Sequence, residues 1–147
     1  MFTELYRKII SMDGSILGFQ HLNSFTLLPI DETDTQSPFA YLQSTEEESL
    51  GFLVTNPFSF IPGYEVQVRD SEKTVLDTTD PKDVIVLNIV TLAEHFDQST
   101  INLLAPLLIN VRNMMGRQIV LSQDGHFPTR APLFGPSTEQ EAGLSSC

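Results

Sequence analysis

The 147-residue chain has no tryptophan, one cysteine and, across residues 9–68, no lysine or arginine. Each absence narrows the reading. The cysteine is Cys147, at the C-terminus. A lone thiol cannot staple a small fold, so an apolar core must carry the stability. Missing tryptophan weakens a sugar-binding reading. No apolar run approaches the roughly 18–20 residues needed to cross a bilayer. The N-terminal stretch Met1-Phe2-Thr3-Glu4-Leu5-Tyr6-Arg7-Lys8 places charges before a very short apolar pair, unlike a secretory leader. The chain therefore reads as a soluble, cytoplasmic protein.

The shortage of bases is informative. Nineteen acidic residues face eight basic ones, a net charge of −11. Asp13, Asp31, Glu32, Asp34, Glu46, Glu47, Glu48 and Glu65 all fall within the base-free stretch. Such a surface repels phosphate backbones, which argues against direct nucleic-acid binding. It suits solubility, and it would also attract a basic protein.

Catalytic signatures are equally scarce. His21, His95 and His126 are far apart in sequence, with no metal-binding spacing and no cysteine beside them. There is no phosphate-cradling glycine loop and no Gly-x-Ser-x-Gly nucleophile turn. The acidic run Asp31-Glu32-Thr33-Asp34 lacks the glycine and distant glutamate of a calcium loop and reads as a solvated turn. No metal or cofactor is expected. An enzyme whose site assembles from distant residues of a small barrel is the alternative reading. An oligomer joined through sheet edges is a third, set against the monomer expected here.

What the chain does have is 41% hydrophobic residues, enough for one domain with a core. Short apolar runs predict strands at residues 25–28, 39–42, 50–55, 84–92, 103–111 and 118–122. The run at 84–92 is rich in β-branched residues, which favours strand over helix. Most runs are continuously apolar, which implies cover on both faces, as in a small closed barrel or tight sandwich. Residues 112–117, Arg-Asn-Met-Met-Gly-Arg, read as a hairpin tip because asparagine and glycine tolerate positive φ. Met114 and Met115 there serve either as a contact surface or as a flap over the core. Pro106 implies an edge, a strand start or a bulge. Two helical turns are expected, at residues 71–76 with Asp70 or Ser71 as N-cap, and at residues 93–97. Asn88 and Asn110, inside apolar strands, are expected to bond across strands. The fold class is all-β, a small barrel-like single domain with at most short helical turns. The domain spans residues 1–134. Residues 135–147 lack any aromatic or β-branched apolar residue to anchor a core and are expected to form a flexible C-terminal tail.

One segment is specific. Leu50-Gly51-Phe52-Leu53-Val54-Thr55-Asn56-Pro57-Phe58-Ser59-Phe60-Ile61-Pro62-Gly63-Tyr64-Glu65-Val66 resembles the FliW family, in which a strand ends in Asn-Pro-Phe before an aromatic, a proline and Tyr-Glu. Phe25-Thr26-Leu27-Leu28-Pro29 and residues 37–44 are similar to the preceding family segments. Residues 83–91, 102–110 and 116–121 are similar to the following ones. Two departures stand out. Ser15-Ile16-Leu17-Gly18-Phe19-Gln20 lacks the proline of the family's Gly-Leu-Pro-Gly-Phe-Glu, and Ala131 stands where a histidine follows arginine.

The resemblance implies a non-enzymatic flagellar assembly factor with two protein partners. One is flagellin, held in the cytosol before export. The other is CsrA, a basic RNA-binding repressor of flagellin translation. While flagellin is abundant it occupies the assembly factor, and CsrA stays free to repress. Once flagellin leaves, the factor binds CsrA and lifts repression. The candidate partner-binding residues are Asn56, Pro57, Phe58, Phe60, Tyr64 and Glu65, with the acidic turn Glu46, Glu47 and Glu48. Phe58 and Phe60 also fit core packing at the barrel end, and Tyr64 and Glu65 fit an amphipathic rim.

Overall fold

The structure is a computed structural model that describes residues 2–34, 36–121 and 127–134. Among the described residues nine strands appear: β1 (Ile9–Ser11), β2 (Ser24–Pro29), β3 (Phe39–Ser44), β4 (Gly51–Thr55), β5 (Val84–Thr91), β6 (Thr100–Ile101), β7 (Leu107–Asn110), β8 (Met115–Gln118) and β9 (Ala131–Pro132). The helix α1 (Asp70–Leu76) and, among the described residues, three single 3-10 turns interrupt them. Seven strands close a barrel in the order β1-β2-β3-β4-β5-β7-β8. Closure is completed by the antiparallel pair β4–β5 and by a short parallel contact of β1 with β8 at Ser11 and Met115. β6 and β9 continue the sheet beyond β5, outside the barrel.

Cross-strand neighbours show how the core fills. Ile10 faces Phe25, Leu27 faces Leu42, Ala40 faces Val54, Leu87 faces Leu107, and each is buried. Phe2, Leu5, Met12, Ile16 and Leu22, from the segments flanking β1, join this interior cluster. Gly116 is the tight spot. A Cβ there would lie 2.5 Å from Met12 Sδ and 3.2 Å from Leu108 O, so only glycine lets Met12 sit against β8.

A second apolar cluster lies on the outer face. Tyr64, Val90, Ile101, Leu103, Ala131 and Leu133 are buried in it, with Phe39, Phe60, Val66, Phe127 and Phe134 packed alongside. This outer layer explains the uninterrupted apolar runs. All four residues of β7 are buried, and at its end Asn110 donates to the Leu76 carbonyl of α1 at 2.8 Å. β3 instead alternates half-buried and buried residues, the pattern of a strand with one wetter face.

Several expectations shift. The strand expected over residues 103–111 is ordered as β7 only from Leu107. Pro106 immediately precedes it, the strand-start position its missing N–H favours. The last expected strand lies earlier, at Met115–Gln118, so the hairpin turn is confined to residues 111–114. Positive φ falls on Met114 (60°), while Gly116 is held in the strand by the close approach of Met12. Met114 packs on the core cluster as a flap. α1 starts one residue earlier than expected, with Arg69 at the N-cap position. The Glu72 carboxylate accepts the Arg69 backbone N–H at 2.8 Å and its guanidinium at 2.6 Å, replacing the expected Asp70 or Ser71 cap. The turn expected at 93–97 is a single 3-10 turn at Phe96–Gln98. The strand over 84–92 ends at Thr91, leaving Leu92 exposed. His126 and the tail beyond residue 134 fall outside the described residues.

Candidate functional site

The segment after β4 is shaped by its own sequence. The Asn56 side chain caps a 3-10 turn, Pro57–Ser59, by accepting the Phe58 N–H at 3.0 Å, and Pro57 at the first position needs no donor partner. The Asn56 N–H donates to Pro38 O at 3.0 Å, tying the turn to the chain entering β3. Gly63, at φ 84°, reverses the chain after Pro62 and delivers Tyr64 back onto the barrel wall.

Tyr64 is then fixed by a buried polar network. Its hydroxyl donates to Leu103 O at 2.7 Å and accepts from Asn88 Nδ2 at 3.1 Å. Asn88 Nδ2 also donates to Asn102 O at 2.7 Å, and Asn102 Oδ1 accepts the N–H groups of Leu104 and Ala105 at 3.1 and 3.0 Å. Burial pushes the Tyr64 hydroxyl above its ordinary pKa, partly opposed by the Asn88 bond. Side chains thus order the stretch ahead of Pro106 that lacks a regular ladder. Asn110 plays the matching part at α1, donating to Leu76 O at 2.8 Å and accepting the Arg112 N–H at 2.9 Å.

The candidate residues separate by exposure. Tyr64 is 5% exposed, whereas Phe58 is 50% exposed and rests on the Tyr64 ring with centroids 6.0 Å apart. Pro57 is buried, Asn56 half-buried and Glu65 exposed. Phe60 is half-buried among Phe39 and Phe134, and exposed Phe96 stacks on both of those rings at 6.0 and 5.2 Å. Phe58, Tyr64, Glu65, Val66 and Gln67 line an open depression of about 490 Å³. Gln67, Phe96 and Phe134 were not among the sequence candidates, nor was Val66 although it closes the family segment, because no local pattern shows which side chains meet.

Glu46, Glu47 and Glu48 lie elsewhere. They form the exposed turn between β3 and β4, at the opposite end of β4 from Asn56. Five strand residues of separation is about 15 Å. Glu46 is also engaged: it accepts the N–H groups of Ser24 and Asn23 at 3.0 and 2.6 Å, which hold its carboxyl below the usual range. Glu47 and Glu48 carry the outward charge of this turn. The acidic run at 31–34 is a turn in which Asp31 accepts from Thr33 and Glu32 pairs with Arg7. Among the described residues no three His, Cys, Asp or Glu gather as a metal-ligand set, and no helix is long and apolar enough to cross a membrane.

The family model described as FliW protein matches residues 3–133. The chain belongs to the FliW family. It is 42% identical over 130 residues to the flagellar assembly factor FliW of Bacillus subtilis strain 168, covering 88% of each chain. The FliW of Clostridioides difficile strain 630 is 39% identical, covering 84% of this chain and 92% of that one. A crystal structure of the flagellar assembly factor FliW superposes with a TM-score of 0.77 at 36% identity, over 86% of this chain and 85% of that one. The FliW fold thus accounts for the closed barrel, and the family segment at residues 50–66 forms β4, the capped turn and the anchored Tyr64.

Proposed function

We propose that the protein is a non-enzymatic, monomeric, cytoplasmic binding protein. It holds flagellin before export and antagonises a CsrA-type translational repressor in a partner switch, coupling flagellin synthesis to secretion. Family membership supports the role in flagellar assembly. The observation that carries a binding reading is the pairing of an exposed aromatic, Phe58, with an exposed acid, Glu65, on a segment anchored from below by Tyr64. Protein interfaces favour exposed aromatic anchors bordered by a polar rim. The acidic turn at Glu47 and Glu48, at the other end of β4, offers a second, purely electrostatic surface for a basic partner.

Pull-downs with purified flagellin and purified CsrA, using Phe58→Ser, Glu65→Lys and a Glu47→Lys/Glu48→Lys double variant, test the proposal. Each variant is expected to melt like the wild type, because surface changes usually alter stability by under about 0.5 kcal/mol. At least one partner should be lost by each. Retention of both partners by all three variants would refute the contact assignment.

A further inference from the structure

Beyond Tyr64 the chain runs to α1 without turn, bend or helix. Arg69, at its end, has φ −77° and ψ 165°, an extended conformation. Side chains alternate along it: Glu65 and Gln67 are exposed, Val66 and Val68 half-buried, with Val66 packed on the outer cluster. This is the pattern of a strand lying on a core. Yet it belongs to no sheet, and the backbone groups of residues 65–68 make no hydrogen bond to the rest of the described protein. A chain without turns, seated on apolar side chains and unpaired, leaves its backbone donors and acceptors open to an incoming strand.

Its surroundings define what would pair there. The open depression beside it is lined by Phe58 and Val66 together with Tyr64, Glu65 and Gln67, so it presents apolar and polar groups side by side to an incoming segment. Glu65 has no ion-pair partner among the described residues, and no base precedes it back to residue 9. The nearest cation in sequence, Arg69, is already bonded to Glu72 at 2.6 Å. An acidic partner strand would meet uncompensated negative charge, and a basic one would meet its complement.

We propose that residues 65–68 form a docking edge for strand addition, onto which an extended basic segment of the CsrA-type regulator pairs by backbone hydrogen bonds. This rests on the partner-binding reading above and specifies how that surface works. Tyr64 is then a positioning residue, holding the edge at a fixed height on the barrel through Leu103 and Asn88.

Strand pairing has a signature that simple burial lacks. Successive N–H groups of a strand point to opposite sides, so one neighbour protects alternate amides only. Residue-resolved amide exchange on the ¹⁵N-labelled full chain, alone and with purified CsrA, reads this. The expected result is slowing of about tenfold or more at either residues 65 and 67 or residues 66 and 68, against fast exchange in the free protein. Proline at a protected position (Gln67→Pro or Val68→Pro as the data direct) should abolish CsrA binding, while alanine at the same position retains it and both variants melt as folded proteins. CsrA binding with all four amides unprotected, or with all four slowed alike, would overturn strand addition and leave the proposed function standing. Protection by purified flagellin in place of CsrA would overturn the choice of a basic occupant. Failure of the wild type to bind either partner would overturn both the edge and the proposed function.

Discussion

Tyr64→Phe isolates the hydroxyl that ties the candidate site to the barrel. The ring stays, so its packing against Phe58 and Phe127 is kept, at centroid separations of 6.0 and 5.4 Å. What goes is one donor to Leu103 O and one acceptor for Asn88 Nδ2. Asn88 keeps its bond to Asn102 O, so its amide is only partly stranded. The Leu103 carbonyl loses its side-chain donor in an apolar cluster. A net hydrogen bond is worth about 1 kcal/mol, and an abandoned buried acceptor costs about 1–3 kcal/mol. Together these give a loss of about 2 kcal/mol, which for a chain of this size lowers Tm by about 6 °C. Calorimetry at neutral pH measures it. A cycle with Asn88→Ala should show a coupling of about 0.5–1.5 kcal/mol, because the two side chains share one bond. An alkaline arm adds a sign. Burial raises the Tyr64 pKa in the fold, so its contribution is full below the unfolded value near 10 and is lost as pH rises through the folded value. The wild type should therefore lose stability in alkali more steeply than Tyr64→Phe. A Tm shift under about 1 °C with no coupling to Asn88 would refute the network's structural role.

Gly116→Ala should destabilise by about 1–3 kcal/mol in urea unfolding, because the added methyl meets Met12 Sδ at 2.5 Å and the Leu108 carbonyl at 3.2 Å. Burial pushes Glu72 up, but the Arg69 guanidinium and N–H outweigh it and hold the carboxyl below its ordinary value. Its stabilisation is thus present above about pH 4.3 and lost as pH falls through the folded value, so Glu72→Gln should flatten the acid limb of a Tm-against-pH curve. Raising salt from about 0.05 to about 0.5 M should weaken the proposed CsrA binding in titration calorimetry, since the exposed acids proposed to meet it, Glu47, Glu48 and Glu65, would act through screened charge. Invariant affinity would remove electrostatics from that interface.

The legible parts of this fold are those whose cause is local. β2, β3, β4 and β5 fall on the short apolar runs of the sequence, β4 and β5 the richest of them in β-branched residues or closed by Asn-Pro, and the Asn56-Pro57 turn follows from capping and a missing N–H. The seam strand β1 was illegible because three residues carry no period, and the barrel closes there through one parallel pair with a strand more than a hundred residues away. β8 was misplaced because the sequence offers glycine as the turn residue. Only the tertiary contact with Met12 shows that Gly116 is needed for space and not for its φ. The candidate site was legible as a segment but not as a surface. Phe58, Tyr64 and Glu65 are close in sequence, yet the first and last face solvent and the middle one is buried.

That inversion has a physical source. A strand buried on both faces has no polar side to mark which residue will be outermost. Here the mark is Asn88, a polar residue on the outer side of β5 beneath an apolar layer. Left alone, a buried amide there would cost several kcal/mol. Its Nδ2 is satisfied only because Tyr64 and the Asn102 carbonyl reach it. Asn88 therefore selects the one path of the segment after β4 that brings a hydroxyl to the wall. Once Tyr64 is pinned, the residues on either side of it in the chain are turned outward. Replacing Asn88 by leucine would remove that selection while keeping an apolar core. The expected outcome is a folded barrel with faster amide exchange at residues 58–68 and weaker binding of both proposed partners. Unchanged exchange there would show that the apolar contacts of Tyr64 alone set the path, and would leave the asparagine without a role in the site.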